Sequence, residues 1–107
     1  MDENQEIYDK IESVMKSLKQ QRDLQKLSID NGLDVKNSII LTDRDIDNHL
    51  VAVISLLLCK RSGDSKYSKL VEAGISKRSL KTAIINEYKD QANQLIQKYK
   101  TKEKASQ

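Results

Sequence analysis

The chain contains no proline and only three glycines, at positions 32, 63 and 74 of 107 residues. Proline and glycine are the residues that interrupt helices most strongly, so the long stretches between these positions favour helix. Lys, Glu, Gln and Leu, all good helix formers, are abundant in those stretches. The sequence therefore predicts a single all-α domain over residues 1–107, with four to five helices.

The first predicted helix covers residues 3–28. Asn31 and Gly32 are expected to end it, because both residues tolerate a positive φ. Apolar residues recur along it at steps of three or four, as on one face of a helix, with a polar gap before the last two. These residues are Ile7, Ile11, Val14, Leu18, Leu24 and Leu27.

A second helix is predicted over residues 43–61. Thr42 can cap its N-terminus, and Asp45 three residues later completes a capping-box pattern. Residues 50–58 are apolar nearly all round, which is typical of a central, buried helix, although a buried strand has a similar pattern. Just before this helix, residues 38–41 could form one short strand.

Two further helical segments are separated by a tight turn at residues 74–76. The first begins near residue 65, with Asp64 or Ser65 as its cap, and Tyr67, Leu70 and Val71 are expected to face inward. The second begins at residue 77 and continues to about residue 100, with no signal for a β-hairpin after it. We divide this region into a helix-turn-helix over residues 65–83 and a helical extension over residues 84–100.

The turn and its surroundings follow a known pattern. Gly74 allows a positive φ, Ile75 fills the angle between the helices, and Ser76 caps the second helix; Leu80 and either Ala83 or Ile84 take its inward positions. Residues 66–85 therefore resemble the core of the helix-turn-helix superfamily of DNA-binding proteins. The resemblance implies that the second helix enters the DNA major groove. A ribbon-helix-helix repressor and an ordinary helical turn remain alternatives.

The charge distribution favours a polyanionic partner on one side of the molecule. Residues 1–47 carry seven basic and eleven acidic side chains, whereas residues 60–107 carry twelve basic and five acidic ones. We expect Arg78 to read a base and the neighbouring basic and hydroxyl residues to hold phosphates. The predicted DNA-binding residues are Lys66, Ser68, Ser76, Lys77, Arg78, Ser79, Lys81 and Thr82.

A homodimer is expected, because the low apolar content suggests that part of the apolar surface packs against a second copy. One face of the first helix and a seam of three- and four-residue steps along the last helix are candidates for this contact. The predicted dimer-interface residues are Ile7, Ile11, Val14, Leu18, Tyr88, Leu95 and Tyr99.

The sequence offers little for catalysis. His49 is the sole histidine and Cys59 the sole cysteine; their spacing fits no zinc site, and no Ser-His-Asp set has a convincing sequence context. Asp43, Asp45 and Asp47 suit a helix N-terminus better than a cation site. We expect no enzyme activity, metal or cofactor.

The longest apolar run, residues 50–59, is too short to span a bilayer, and no signal peptide is recognised. We therefore expect a cytoplasmic protein, associated with the nucleoid if it binds DNA. The predicted function is sequence-specific binding of double-stranded DNA by a dimer. Such a protein acts as a repressor or as a plasmid- or phage-type segregation adaptor. The alternative is an all-helical protein-protein interaction module, of adaptor or immunity type, with the acidic first helix as a binding face.

Overall fold

The computed structural model describes residues 4–32, 40–74 and 77–105, and these ranges contain four α-helices and no strand. The helices are α1 (Gln5–Asp30), α2 (Asp43–Arg61), α3 (Ser65–Glu72) and α4 (Arg78–Ala105). The all-α prediction is confirmed for this part of the chain. The second helix has the predicted bounds, α1 begins and ends two residues later than predicted, and α4 continues five residues beyond the predicted end. The possible strand falls mainly on residues outside the described ranges, and residues 40 and 41 are not in a strand.

Local signals fix most helix ends. The Thr42 hydroxyl accepts a hydrogen bond from the Asp45 backbone N–H at 3.1 Å, and the Asp45 carboxylate accepts one from the Thr42 N–H at 2.9 Å. This is the predicted capping box, which satisfies two otherwise unpaired N–H groups at the start of α2. Gly32 and Gly74 follow the ends of α1 and α3 with φ of 74° and 77°, values that glycine adopts without strain.

Helix α2 is the central element, and α4 runs antiparallel to it. At one end Asp47 of α2 pairs with Lys100 of α4 at 3.1 Å, and at the other Ser62, just beyond α2, contacts Tyr88 of α4 at 2.9 Å. The prediction of a central, buried second helix is confirmed, since Leu50 and Ile54 are fully buried. A strand is excluded for this segment.

The core consists of two apolar clusters along α2. The first joins α1, α2 and the C-terminal half of α4, and the second joins the end of α2 to α3 and the start of α4. The buried residues of the first cluster are Ile7, Tyr8, Ile11, Ile46, Leu50, Ile54, Ala92 and Ile96. Those of the second are Cys59, Leu70 and Ile84. The second cluster is the one that positions α3 against α4.

The predicted apolar face of α1 lies against the core of the chain in its first half only. Leu24 and Leu27 are 64% and 57% exposed. Arg22 and Gln25 take the inward positions there, because they continue the steps of three and four from the first half. Arg22 pairs with Asp43 at 2.7 Å, and Gln25 accepts a hydrogen bond from the Leu41 N–H at 3.2 Å. These polar contacts attach the end of α1 to the start of α2.

Two further inward assignments are wrong. Val71 is 48% exposed, since α3 is a short helix covered on one side only and Leu70 occupies that side. Ala83 is also exposed, because Leu80 and Ile84 define the inward face of α4. The residues shortly upstream of the turn form α2 and α3, so the β-ribbon that a ribbon-helix-helix repressor needs does not lie in these two segments. None of the described helices is both long and apolar enough to cross a membrane.

Candidate nucleic-acid interface

The candidate site is the surface formed by α3 and the first turns of α4. Leu70 of α3 and Ile84 of α4 are both fully buried, and they meet Cys59 at the end of α2. Tyr67 and Leu80 pack around this contact. The arrangement holds α3 and the start of α4 together on a shared apolar base, so their outer side chains keep fixed relative positions.

A polar network anchors the start of α3 to the middle of α4. Asp64 caps α3 by accepting a hydrogen bond from the Lys66 backbone N–H at 2.9 Å. The Tyr88 hydroxyl donates to the other Asp64 oxygen at 3.0 Å and shares a hydrogen bond with Ser62 at 2.9 Å. The Lys66 ammonium pairs with Asp64 at 3.4 Å and with Glu87. The loop before α3, the start of α3 and the middle of α4 therefore meet at the Asp64 carboxylate.

The network changes the acid–base properties of its members. The Lys66 backbone N–H, followed by the Tyr88 hydroxyl, lowers the pKa of Asp64 below its usual value, although burial opposes this. The hydrogen bond to Glu87, together with that to Asp64, raises the pKa of Lys66. Both groups are therefore charged at neutral pH. Two carboxylates beside Lys66 offset its positive charge, which weakens its predicted role as a phosphate contact.

The other predicted DNA-binding residues lie mostly in solvent. Lys77, Arg78, Ser79 and Thr82 are exposed at the start of α4, and Lys81 is half-buried beside them. Ser68 is exposed on α3, whereas Ser76 and the neighbouring Ile75 lie outside the described residues. The predicted DNA-binding residues of α4 therefore lie together at the N-terminal end of that helix, and Ser68 lies on the adjoining helix α3.

Two exposed residues join this surface although the sequence-based list omitted them. Asn86 is exposed and follows Ser79 and Thr82 at steps of three and four, which places the three on one face of α4. Lys69 is exposed on α3. This spacing could have identified Asn86 from the sequence alone, as a residue on the same helix face as Ser79 and Thr82. We call Arg78, Ser79, Thr82 and Asn86 the α4 outer stripe.

The predicted dimer-interface residues lie against the core of the single chain. Ile7 and Ile11 have no exposed surface, so they are not available to a second copy in this fold. The others are half-buried against the two clusters, and the Tyr99 ring packs 6.2 Å from that of Tyr8. The dimer role predicted for the half-buried members of the set stays a prediction; these are Val14, Leu18, Tyr88, Leu95 and Tyr99.

The three aspartates at the start of α2 have separate partners. Asp43 pairs with Arg22, Asp45 belongs to the capping box, and Asp47 pairs with Lys100. The Arg22 hydrogen bond lowers the pKa of Asp43, and the Thr42 backbone N–H lowers that of Asp45. No group of three or more potential metal ligands occurs among the described residues.

The two residues considered for catalysis lie apart from the candidate site. His49 is exposed on α2. Cys59 is a fully buried free thiol, and burial raises its pKa. Neither residue lies on the α4 outer stripe.

Comparison of the chain with protein-family models, with curated proteins and with solved structures gives no match to any of them.

Proposed function

We propose that this protein binds double-stranded DNA as a homodimer, with α3 and the start of α4 acting as a helix-turn-helix. The observation that carries the proposal is the α4 outer stripe, a solvent-facing row of polar side chains at the start of a rigidly held helix. Four basic side chains adjoin or belong to this surface. They are Lys69, Lys77, Arg78 and Lys81. A helix of this kind fits the major groove and can contact both phosphates and base edges.

The stripe contains the side-chain types that distinguish base pairs. The Arg78 guanidinium can donate two hydrogen bonds to guanine O6 and N7, and the Asn86 amide can pair with adenine N6 and N7. Asn86 lies eight residues beyond Arg78, about 12 Å along the helix axis. Thr82 lies between them and can contact a thymine methyl or a phosphate. We assign base reading to Arg78 and Asn86.

The basic residues around the stripe supply affinity without regard to sequence. Lys77 and Lys81 flank Arg78, and Lys69 and Ser68 extend the surface onto α3. Each lysine that neutralises a phosphate releases a condensed counterion, which makes binding salt-dependent. Lys66 takes a smaller part because Asp64 and Glu87 already offset its charge. In this proposal the chain acts by occupying DNA, as a repressor or a segregation adaptor.

Binding to a protein partner is the second candidate function. The observation in its favour is the pair of exposed leucines on α1, Leu24 and Leu27, which lie on an otherwise polar helix face. This surface does not overlap the α4 outer stripe. A protein partner and DNA are therefore distinguishable by mutating one surface at a time.

The proposed function is tested with two charge-matched double variants and a random-sequence duplex. Lys77→Ala/Arg78→Ala removes two positive charges at the start of α4, and Lys19→Ala/Lys26→Ala removes two exposed charges from α1. Fluorescence anisotropy at fixed salt measures the affinity of each variant. We expect the α4 double variant to bind on the order of tenfold more weakly than wild type, and the α1 double variant to bind nearly as well. Equal losses in both variants would mean that net charge alone drives binding.

A further inference from the structure

A shallow apolar groove runs beside α1 where α2 is incompletely covered. The molecule is only 19 Å thick in its shortest dimension, so some apolar residues of α2 remain half-buried. The groove has a volume of about 220 Å³, and two exposed lysines stand at its rim. Its main lining residues are Lys10, Val53, Leu56, Leu57, Lys60 and Tyr67.

A complementary feature lies on the second half of α1. Leu24 and Leu27 are one helical turn apart and largely exposed, and the carboxylates of Asp23 and Asp30 flank them. We call these four residues the leucine knob. The knob is apolar with two carboxylates and Lys26 between them, whereas the groove is apolar with Lys10 and Lys60 at its rim and Glu6 and Asp9 beyond Lys10. The two surfaces therefore match in both hydrophobicity and charge.

We propose that the leucine knob of one copy of this chain occupies the groove of a second copy, and that the exchange is reciprocal. A knob cannot fill the groove of its own chain, because Leu24 lies fourteen residues from Lys10 along α1, about 21 Å away. Two antiparallel α1 helices centred on Ser17 bring Leu24 of each copy opposite Lys10 of the other. Asp23 then lies at nearly the same height along the helix pair as that lysine.

This geometry closes on itself as a two-fold dimer. Each copy contributes one knob and one groove, so the same surface is used twice and no binding surface is left for a third copy. Ser13 and Ser17, both small and exposed, lie between Lys10 and Leu24 and allow the two helices to approach. The interface does not involve Ile7 or Ile11, which remain in the core of each chain.

The inference rests on the proposed function only for the expectation of a homodimer. It places the dimer contact on α1 and leaves the α4 outer stripe of both copies free. The dimer is measured in the absence of DNA. Failure of the dimer therefore does not imply failure of DNA binding, and the reverse also holds.

The test is sedimentation equilibrium of the full chain, without DNA, over a range of concentrations. We expect wild type to dimerise. Leu24→Asp is expected to weaken the dimer on the order of tenfold or more, since it places a charge where the dimer buries the leucine side chain. Val71→Asp is the matched control, because Val71 is a similarly exposed apolar residue on another helix. It is expected to dimerise like wild type.

Charge reversal separates this dimer from other modes of association. Lys10→Glu and Asp23→Lys, both at exposed positions, are each expected to weaken the dimer, and the double variant is expected to recover much of it. Circular dichroism confirms that each variant is folded. A monomeric wild type, a dimer unaffected by Leu24→Asp, or a double variant no better than the single ones would each overturn the proposal.

Discussion

Leu70→Ala provides a stringent test of how the candidate site is built. Leu70 is fully buried between Cys59 and Ile84, and it is the one fully buried residue of α3. Removing three carbon atoms loses about 2.4 kcal/mol of transfer free energy at about 0.8 kcal/mol per methylene. The cavity left behind raises the expected cost to roughly 3–4 kcal/mol, within the range measured for buried leucines.

The assay is urea unfolding followed by far-ultraviolet circular dichroism. For a domain of this size the slope of the unfolding free energy is about 2 kcal/mol per molar urea, so the midpoint falls by about 1.5–2 M. The neighbouring variant Val71→Ala is the matched control, because Val71 is 48% exposed. Its cost is expected to stay within about 0.5 kcal/mol. A loss of unfolding free energy below about 1 kcal/mol in Leu70→Ala, or equal losses in both variants, would contradict the conclusion that Leu70 holds α3 against α2 and α4.

Three other predictions concern the cap of α2, the carboxylate at the start of α3 and the DNA contacts. Thr42→Ala removes half of the capping box and is expected to cost about 1 kcal/mol in urea unfolding, whereas no loss would contradict the cap. The pKa of Asp64 is lowered in the folded state, so its contribution to stability is present above its unfolded value of about 3.8 and is lost as the pH falls below it. The difference in unfolding free energy between wild type and Asp64→Asn, measured by urea unfolding, is therefore expected to be constant near neutral pH. It is expected to shrink as the pH falls below about 3.8. A difference that widens in acid would contradict this sign. Arg78→Ala is expected to relax base preference at one position of a selected site by roughly 1–3 kcal/mol, while Lys77→Ala weakens all sequences alike. An unchanged base preference in Arg78→Ala would show that Arg78 does not read a base.

Features determined by neighbouring residues were predictable from the sequence. The capping box needs only Thr42 and Asp45, three positions apart, and the positive φ of Gly74 follows from glycine itself. The all-helical class and the bounds of α2 followed from the same kind of local signal. The exposed residues at the start of α4 were also predictable, because polar side chains at a helix end commonly face solvent.

Features determined by distant contacts were not predictable in the same way. An apolar stripe such as Ile7 and Ile11 indicates a partner surface but cannot distinguish the chain's own core from a second copy. The pairing of Lys66 with Glu87 joins residues 21 positions apart, and only the packing of α3 on α4 brings them together. Leu24 was placed on the apolar face of the first helix because it is apolar, although its angular position on α1 differs from that of Ile7 and Ile11.

The central claim is tested most directly by the salt dependence of binding to a random-sequence DNA duplex. If Lys69, Lys77 and Lys81 of both copies contact phosphates, the logarithm of the affinity falls with the logarithm of the salt concentration with a slope of about −5. Fluorescence anisotropy between about 50 and 200 mM salt measures this slope. A steep slope with roughly micromolar binding supports the DNA-binding interface. No binding near 50 mM salt, or binding indifferent to salt, would contradict it.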